Sequence, residues 1–436
     1  MYELLTKFRK EFRNTLLKSK LFKNAFIYTL SEIINKIVPF ALLPILTMYL
    51  TPSDYGVVAT YGAFIGILGV FMHLSIPGSV AINYFKISKE ELKIYITNAL
   101  FILSVTTSLA FLFIYLFHLD LIERLHIPYE WLIIGVISTS AQFITSLNLV
   151  LWQAEQNPKS FALYQIVQML LNNTLVLIFV IGFSMGWQGQ LVGQTMAVVI
   201  FSFVSFIFVY RRGYLSFKIK KEHISDALRF GIPLIPHTLS GWFKTGVDRI
   251  FLTSFLGVAT TGLYAVGYQF GMIIGIIALA FNNAYAPYLF EKLSNITHRE
   301  KKKLVALTYM YFLAILLIAA VLSYISPWLI INYLDVKYSE SAQFVPWISF
   351  GYAFQGMYYM VVNYIFYLKK THKLVSITFF SGFLHIVLSY FLIKENGPIG
   401  AAQATTISFF VTFILVWILS SKLYSMPWSL KRVKIK

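Results

Sequence analysis

The sequence predicts an all-α integral membrane protein: twelve transmembrane helices in two pseudo-symmetric six-helix lobes around a central cavity. Hydrophobic residues make up 58% of the 436 residues and charged residues only 12%, about half the charged share of a soluble domain. Apolar runs long enough to cross a bilayer recur along the whole chain. A few charged side chains lie inside those runs, which favours a polar cavity within the membrane.

Twelve apolar runs can be drawn, and each spans the hydrocarbon as a helix. Continuous apolar runs joined by short loops favour helices over the alternating strands of a barrel. In chain order the predicted spans are Asn24–Leu50, Val57–Tyr84, Ile94–Leu116, Trp131–Leu151, Phe161–Phe183, Gln190–Tyr210, Ala227–Leu256, Gly262–Leu289, Leu304–Ile325, Ala342–Tyr367, Leu374–Ile393 and Ala401–Leu423.

The distribution of Lys and Arg predicts the orientation of these spans. The net charge is +18, but the basic residues lie in short loops, where they determine topology, so no nucleic-acid partner is expected. Of the 36 Lys and Arg residues, 30 fall on one side, three on the other and three within spans. Both termini are therefore predicted in the cytoplasm. Cysteine is absent, which excludes disulfides, thiol nucleophiles and Cys-based metal sites.

The chain divides at a basic stretch into two halves with a weak internal repeat. Leu50–Ala59 aligns with Leu256–Ala265 at an offset of 206 residues, with Gly56 matched by Gly262. Because each half has an even number of spans, an axis along the membrane normal would relate them. The predicted parts are a basic amphipathic segment (1–23), an N-lobe (24–210), a cytoplasmic linker (211–226), a C-lobe (227–423) and a basic tail (424–436).

Two charged residues lie in the first predicted span. Glu32 and Lys36 are spaced i, i+4 and share a helix face near mid-membrane. They either line a cavity or form a neutralised ion pair between packed helices. Pro39 and Pro44 in the same span favour bending.

The seventh predicted span carries the larger set of charges. Lys244 and Asp248 are spaced i, i+4, His237 lies on the same stripe, and Arg249 is turned by about 100° from Asp248. Lys36, Lys244 and Arg249 are the predicted substrate-binding cations, whereas Glu32, Asp248 and His237 are candidates for ion coupling or charge pairing. A structural Lys244–Asp248 pair and an interfacial role for Arg249 remain open. No metal site and no cofactor are predicted.

Several segments, taken in order, resemble a known family of membrane proteins. They are Leu50–Gly56, with the sequence Leu-Thr-Pro-Ser-Asp-Tyr-Gly, Asp248-Arg249 followed by Gly262–Ala265, and Gly356–Thr371. The chain resembles the Wzx-type flippases for O-antigen and related lipid-linked oligosaccharides, within the multidrug/oligosaccharidyl-lipid/polysaccharide exporter superfamily. The resemblance covers nearly the whole chain and implies two lobes around a central cavity that work by alternating access.

The resemblance implies a function and a set of partners. The expected cargo is an undecaprenyl-diphosphate-linked glycan, moved from the cytoplasmic to the periplasmic leaflet of the bacterial inner membrane. A proton or sodium counter-ion and a downstream glycan polymerase are candidate partners beside the lipid bilayer. The cations of the first and seventh spans would attract the diphosphate. No Gly-Lys dipeptide exists, so the chain has no P-loop.

Two other functions stay open from the sequence. A cation-coupled multidrug or small-molecule antiporter of the same superfamily is the closer alternative, although basic groups outnumber acidic ones in the spans by three to two. A glycan polymerase or glycosyltransferase would need larger loops with acids or His, and no Asp-x-Asp or Gly-x-Ser-x-Gly motif is present. A transporter rather than an enzyme is therefore predicted.

Overall fold

A computed structural model describes residues 20–294 and 296–428, and the regular elements of this part of the chain are all helices, without a strand. The first helices are α1 (Lys20–Ala41), α2 (Leu43–Tyr49), α3 (Pro52–His73), α4 (Ile76–Asn83), α5 (Lys89–Leu125), α6 (Tyr129–Ala154), α7 (Pro158–Leu177) and α8 (Gly186–Arg211). They are followed by α9 (Lys221–Gly231), α10 (Ile235–Thr245), α11 (Val247–Leu256), α12 (Val258–Gly271), α13 (Ile273–Leu293), α14 (His298–Tyr333), α15 (Val345–Tyr367), α16 (His372–Asn396) and α17 (Ile399–Leu423).

Ten helices of the described chain are long and apolar enough to cross a membrane. They correspond to ten of the twelve predicted spans, and the all-helical membrane fold is confirmed. The exceptions are the seventh span, which is broken into short helices, and the tenth, which contains α15. That helix is continuous over 23 residues, but its many Tyr residues, one Gln and one Asn make it less apolar than its neighbours.

The segment after the first span is a helix cap. Thr51 precedes Pro52 and accepts a hydrogen bond from the backbone N–H of Asp54 at 3.1 Å, while Asp54 accepts one from the N–H of Thr51 at 2.8 Å. This reciprocal capping box satisfies two N–H groups at the start of α3. Asp54 also accepts from the N–H of Trp187 at the start of α8, so the Leu50–Gly56 segment ties two helix ends together.

The chain folds into two compact units. The first holds the residues up to Val266 together with Ile331–Glu340, and the second holds Gly267–Ile330 and the residues from Ser341 onward. The segment that follows the predicted linker therefore packs with the first eight helices, in the first unit. The boundary of the two lobes at residues 211–226 stays a prediction.

Each unit has its own apolar core. In the first unit, one cluster around Tyr95, Phe143 and Leu147 lies between α4, α5, α6 and α9, and another around Phe64 and Leu132 joins α3, α5 and α6. In the second unit, aromatic rings of α14 and α17 pack edge to face, with the ring centres of Phe312 and Trp417 5.5 Å apart.

The two ends of the chain lie largely outside the described residues. Of the predicted amphipathic segment 1–23, only residues 20–23 are described, as the first turn of α1. The basic tail is described up to Trp428, whose carbonyl accepts a hydrogen bond from the Tyr309 phenol at 2.8 Å. The amphipathic segment stays a prediction.

Candidate functional site

The seventh predicted span is not one helix, which changes the geometry of its charges. A 3₁₀ turn at Ile232–Leu234 separates α9 from α10, and Gly246 separates α10 from α11. A Cβ at Gly246 would overlap the Trp242 indole, whose Nε1 donates to the carbonyl of Ala63 in α3 at 2.9 Å. The break lies between Lys244 and Asp248, so their i, i+4 spacing does not by itself place them on one face.

Asp248 is the charged residue with the least exposure in the site. It lies in the first turn of α11 with no exposed surface, and it accepts a hydrogen bond from the Tyr264 phenol of α12 at 2.9 Å. A helix N-terminus and a phenol donor both stabilise a buried carboxylate. The side chain is thus fixed between two helices of the first unit.

Arg249 lies beside this pair and contacts the same aromatic ring. Its guanidinium carbon is 5.9 Å from the centre of the Tyr264 ring, within the range of a cation–π contact. Its Nη1 donates to the carbonyl of Thr245, at the break that precedes α11. The structure therefore brings Asp248, Arg249 and Tyr264 together in one charged cluster, which we call the α11 cluster.

Lys244 and His237 lie on the preceding helix, α10. Lys244 is half-buried in the last turn of that helix, and His237 is exposed near its first turn. The stripe predicted for the seventh span thus runs from an exposed imidazole to a half-buried amine, and then stops at Gly246. The assignment of Lys244 to substrate and of His237 to coupling stays a prediction.

The charges of the first span have a different environment. Glu32 is half-buried and Lys36 exposed on α1. Neither forms a hydrogen bond or ion pair with the described residues, so the structure gives no support to the neutralised pair. Their neighbour Ser31 donates to Gln165 of α7 at 3.2 Å, which places polar groups along this seam. Cavity lining by Glu32 and Lys36 stays a prediction.

The internal repeat corresponds to a reciprocal helix contact. A Cβ at Gly56 of α3 would overlap the carbonyl oxygen of Val258 of α12, and a Cβ at Gly262 would overlap that of Pro52. In the internal repeat, with its offset of 206 residues, Pro52 corresponds to Val258 and Gly56 to Gly262. Each contact is therefore the repeat-related copy of the other. Glycine allows two backbones to approach this closely.

A chain of hydroxyl groups extends the same contact. Thr60 donates to the carbonyl of Gly56 at 2.9 Å and lies 2.6 Å from the Thr253 hydroxyl, which lies 2.8 Å from that of Thr261. The three threonines are buried and join α3, α11 and α12. Because Thr253 is one turn beyond Arg249 on α11, the chain of hydroxyls anchors the helix that carries the charges.

Sequence reasoning missed a second charged cluster, at the end of α8. Arg212 pairs with Glu155 at 3.0 Å, also donates to Asn148, and lies 5.0 Å from the centre of the Trp152 ring. Tyr214 donates to Glu155 at 2.8 Å. Burial is the main cause that raises the pKa of Tyr214, and the hydrogen bond to Glu155 is the next. In the sequence Arg212 stands only as a topology signal, because its acidic partner lies 57 residues earlier.

The helices define a multi-pass, all-helical membrane protein. Among solved structures, "Lipid II flippase MurJ, inward closed conformation" matches with a TM-score of 0.73 at 15% identity, covering 93% of this chain and 88% of that one. An inward-facing multidrug resistance MATE family transporter of the MOP superfamily matches with a TM-score of 0.71 at 14% identity, covering 91% and 94%. At these identities the likeness concerns the fold.

Sequence comparison gives the family. Residues 21–293 match the family described as "Polysaccharide biosynthesis protein", and the chain belongs to that family. A protein of the Lsg locus of Haemophilus influenzae is 25% identical over 413 residues, covering 90% of this chain and 98% of the relative. A membrane protein of the same organism is 28% identical over 374 residues, covering 81% and 86%. The resemblance stated from the sequence is confirmed.

Proposed function

We propose that the protein is a flippase for undecaprenyl-diphosphate-linked oligosaccharide, the repeat unit of O-antigen or a similar surface glycan. Membership of the polysaccharide biosynthesis family carries this proposal, and the likeness of the fold to a structure named as a lipid II flippase supports it. The names of the solved relatives describe a flippase and transporters, which supports a transporter rather than an enzyme.

In the proposed topology the chain crosses the bacterial inner membrane twelve times, with both termini in the cytoplasm. The broken seventh segment and α15 add two crossings to the ten apolar helices. Short helices joined at Gly and Pro are tolerated inside a membrane where they pack against protein or line a cavity. Alternating access then exposes the cavity first to the cytoplasm and next to the periplasm.

The cations of the first and seventh spans would bind the diphosphate. A lipid diphosphate carries roughly two negative charges, and unpaired polar groups cost several kcal/mol in hydrocarbon. Arg249 is held at the start of α11 by the Thr245 carbonyl and the Tyr264 ring, and Lys244 lies in the last turn of the preceding helix, α10. An inside-negative potential favours outward movement of an anion by about 2.3 kcal/mol per charge for each 100 mV.

The test is export by two alanine variants. We expect Lys244→Ala and Arg249→Ala each to lower surface-glycan export at least about tenfold in a strain that lacks the native gene, since each removes a charge-assisted contact. Membrane insertion, measured by immunoblot of the membrane fraction, should be unchanged. Arg124→Ala and Lys370→Ala, both at exposed positions, serve as matched controls. Wild-type export by both variants would refute the cationic site.

A charge swap separates binding from structure. In the double variant Lys244→Asp with Asp248→Lys, the charges are kept but exchanged between α10 and α11. Recovery of export relative to the single variants would indicate a structural pair, whereas continued loss supports recognition of an anion. Glycan export in the same complementation strain is the measurement.

The antiporter remains the second candidate, and one observation favours it. Asp248 is a buried acid that accepts a phenol hydrogen bond, and buried acids within spans often carry protons or cations. Asp248→Asn in vesicles distinguishes the two functions. Loss of proton- or sodium-driven drug efflux with intact glycan export would favour the antiporter, and the opposite result would favour the flippase.

A further inference from the structure

Two basic segments of the first unit carry large apolar side chains that are exposed among the described residues. Phe217 is fully exposed, at 103% of its reference surface, Phe85 is 71% exposed and Ile219 is 59% exposed. Lysines alternate with them, at Lys86 and Lys218. We call these five residues the linker patch.

The linker patch is held in place by the protein. The N–H of Ser216 donates to the Thr97 hydroxyl at 2.9 Å, and the N–H of Lys220 donates to the Asn98 amide oxygen at 3.1 Å. Asn98, which has no exposed surface, also donates to the carbonyl of Lys218 at 3.4 Å. These backbone bonds fix the linker against α5, while the side chains of Phe217 and Ile219 stay exposed.

A ring contact joins the two segments at one end of the unit. The amine of Lys89, at the start of α5, lies 5.2 Å from the centre of the Tyr214 ring in the linker. Tyr84, next to Phe85, packs against the same apolar cluster as Leu215. The loop before α5 and the linker after α8 therefore present one surface.

The lysines of this surface keep their charge available. Neither Lys86 nor Lys218 forms an ion pair with the described residues. Two acids at the same end are engaged, since Glu91 binds Lys220 and His223, each at 2.8 Å, and Asp226 accepts from Tyr95 at 2.9 Å, while Glu222 is exposed on α9. The surface thus combines exposed rings with unneutralised amines.

We propose that the linker patch is a docking surface for the anionic lipid headgroups of the adjacent leaflet, with its apolar side chains inserted at the interface. Aromatic and apolar side chains flanked by lysines are suited to the headgroup region, where rings enter and amines meet phosphates. This docking would hold the linker and α9 against the bilayer, beside the end of the seventh segment. It is independent of the transported cargo.

The absence of cysteine makes a direct test available, since an introduced cysteine is unique. Phe217→Cys is labelled with a nitroxide and reconstituted into vesicles of phosphatidylcholine with 30% phosphatidylglycerol, and collisions with oxygen and a nickel chelate are measured by EPR. We expect the ratio of oxygen to nickel collision rates to be at least about threefold higher in these vesicles than in vesicles of phosphatidylcholine alone. Ile219→Cys repeats the measurement if the first variant does not fold.

Two controls define what overturns the proposal. A label at Glu222→Cys, exposed on α9, should be accessible to nickel in both vesicles. Replacing Lys86 and Lys218 with Gln should remove the dependence on phosphatidylglycerol. Equal nickel accessibility at positions 217 and 222 would refute insertion, and immersion that persists without the lysines would refute headgroup binding. If inorganic diphosphate changed the collision rates at position 217 in phosphatidylcholine vesicles, the patch would be a site for soluble anions, and the proposal of headgroup docking would also be refuted.

Discussion

At the scale of single residues, Asp248 depends most on hydrogen-bond donors from the protein, because its carboxylate has no exposed surface. The Tyr264 phenol donates to it at 2.9 Å. We expect Tyr264→Phe to lower the free energy of unfolding by about 1–3 kcal/mol, since a buried acceptor loses a donor. Thermal unfolding of the purified protein in detergent measures the change. Tyr324→Phe, at an 87% exposed position, should shift the midpoint little, and equal midpoints for both variants would contradict the role of Tyr264.

The sequence predicted part of this residue-scale arrangement. Asp248 and Arg249 stand out because charges are rare within apolar runs. Tyr264 did not, because tyrosine is common throughout this chain and its pairing with Asp248 depends on how α12 folds back along α11. The signal that was available is the position of Tyr264 within the repeated Gly262–Ala265 segment. The engaged state of Arg212 required knowledge of the α6–α8 packing and had no local signal.

At the scale of helices, the sequence predicted where the spans lie better than where they break. Ala227–Leu256 reads as one apolar run, whereas the structure has a 3₁₀ turn at Ile232–Leu234 and an interruption at Gly246. Pro233 and Pro236 explain the first break, because proline donates no backbone hydrogen bond. At the second break the Trp242 indole occupies the space beside Gly246, and its hydrogen bond to the Ala63 carbonyl of α3 is a tertiary contact that hydropathy does not report.

The glycine crossing of α3 and α12 gives the clearest prediction at this scale. Gly56→Ala and Gly262→Ala each place a methyl group on a backbone carbonyl of the opposite helix, which cannot move without separating the helices. We expect each to destabilise the protein by about 2 kcal/mol or more, in the upper range for overpacking. Thermal unfolding in detergent and membrane yield are the measurements.

The matched control lies on the same helix. A Cβ at Gly62 of α3 meets nothing within 4 Å, so Gly62→Ala should be neutral or stabilising by up to about 1 kcal/mol through helix propensity. If Gly56→Ala and Gly62→Ala had the same effect, the loss of stability at Gly56 could not be assigned to the crossing. Equal tolerance at Gly262 would contradict the reciprocal contact.

At the scale of the whole molecule, the number of membrane crossings links the fold to the proposed transport. Ten helices satisfy length and apolarity by themselves, whereas two six-helix halves require the seventh segment and α15 to cross as well. The flippase proposal gives a reason why the seventh segment and α15 are not among the ten apolar helices. A helix that lines a polar path has fewer residues facing lipid. The sequence predicted both crossings from their apolar runs, and the basic stretches at 211–229 and 368–373 predicted their orientation.

Cysteine labelling from outside the cell tests both crossings. The chain has no cysteine and therefore no background. Lys221 and Ala259 flank the seventh segment, Glu340 and Lys370 flank α15, and all four positions are exposed. We expect a membrane-impermeant maleimide to label Ala259→Cys and Glu340→Cys in intact spheroplasts, and Lys221→Cys and Lys370→Cys only after permeabilisation, because basic loops stay in the cytoplasm. Equal labelling at positions 221 and 259 would mean that the seventh segment does not cross the membrane. Equal labelling at positions 340 and 370 would mean that α15 does not cross it.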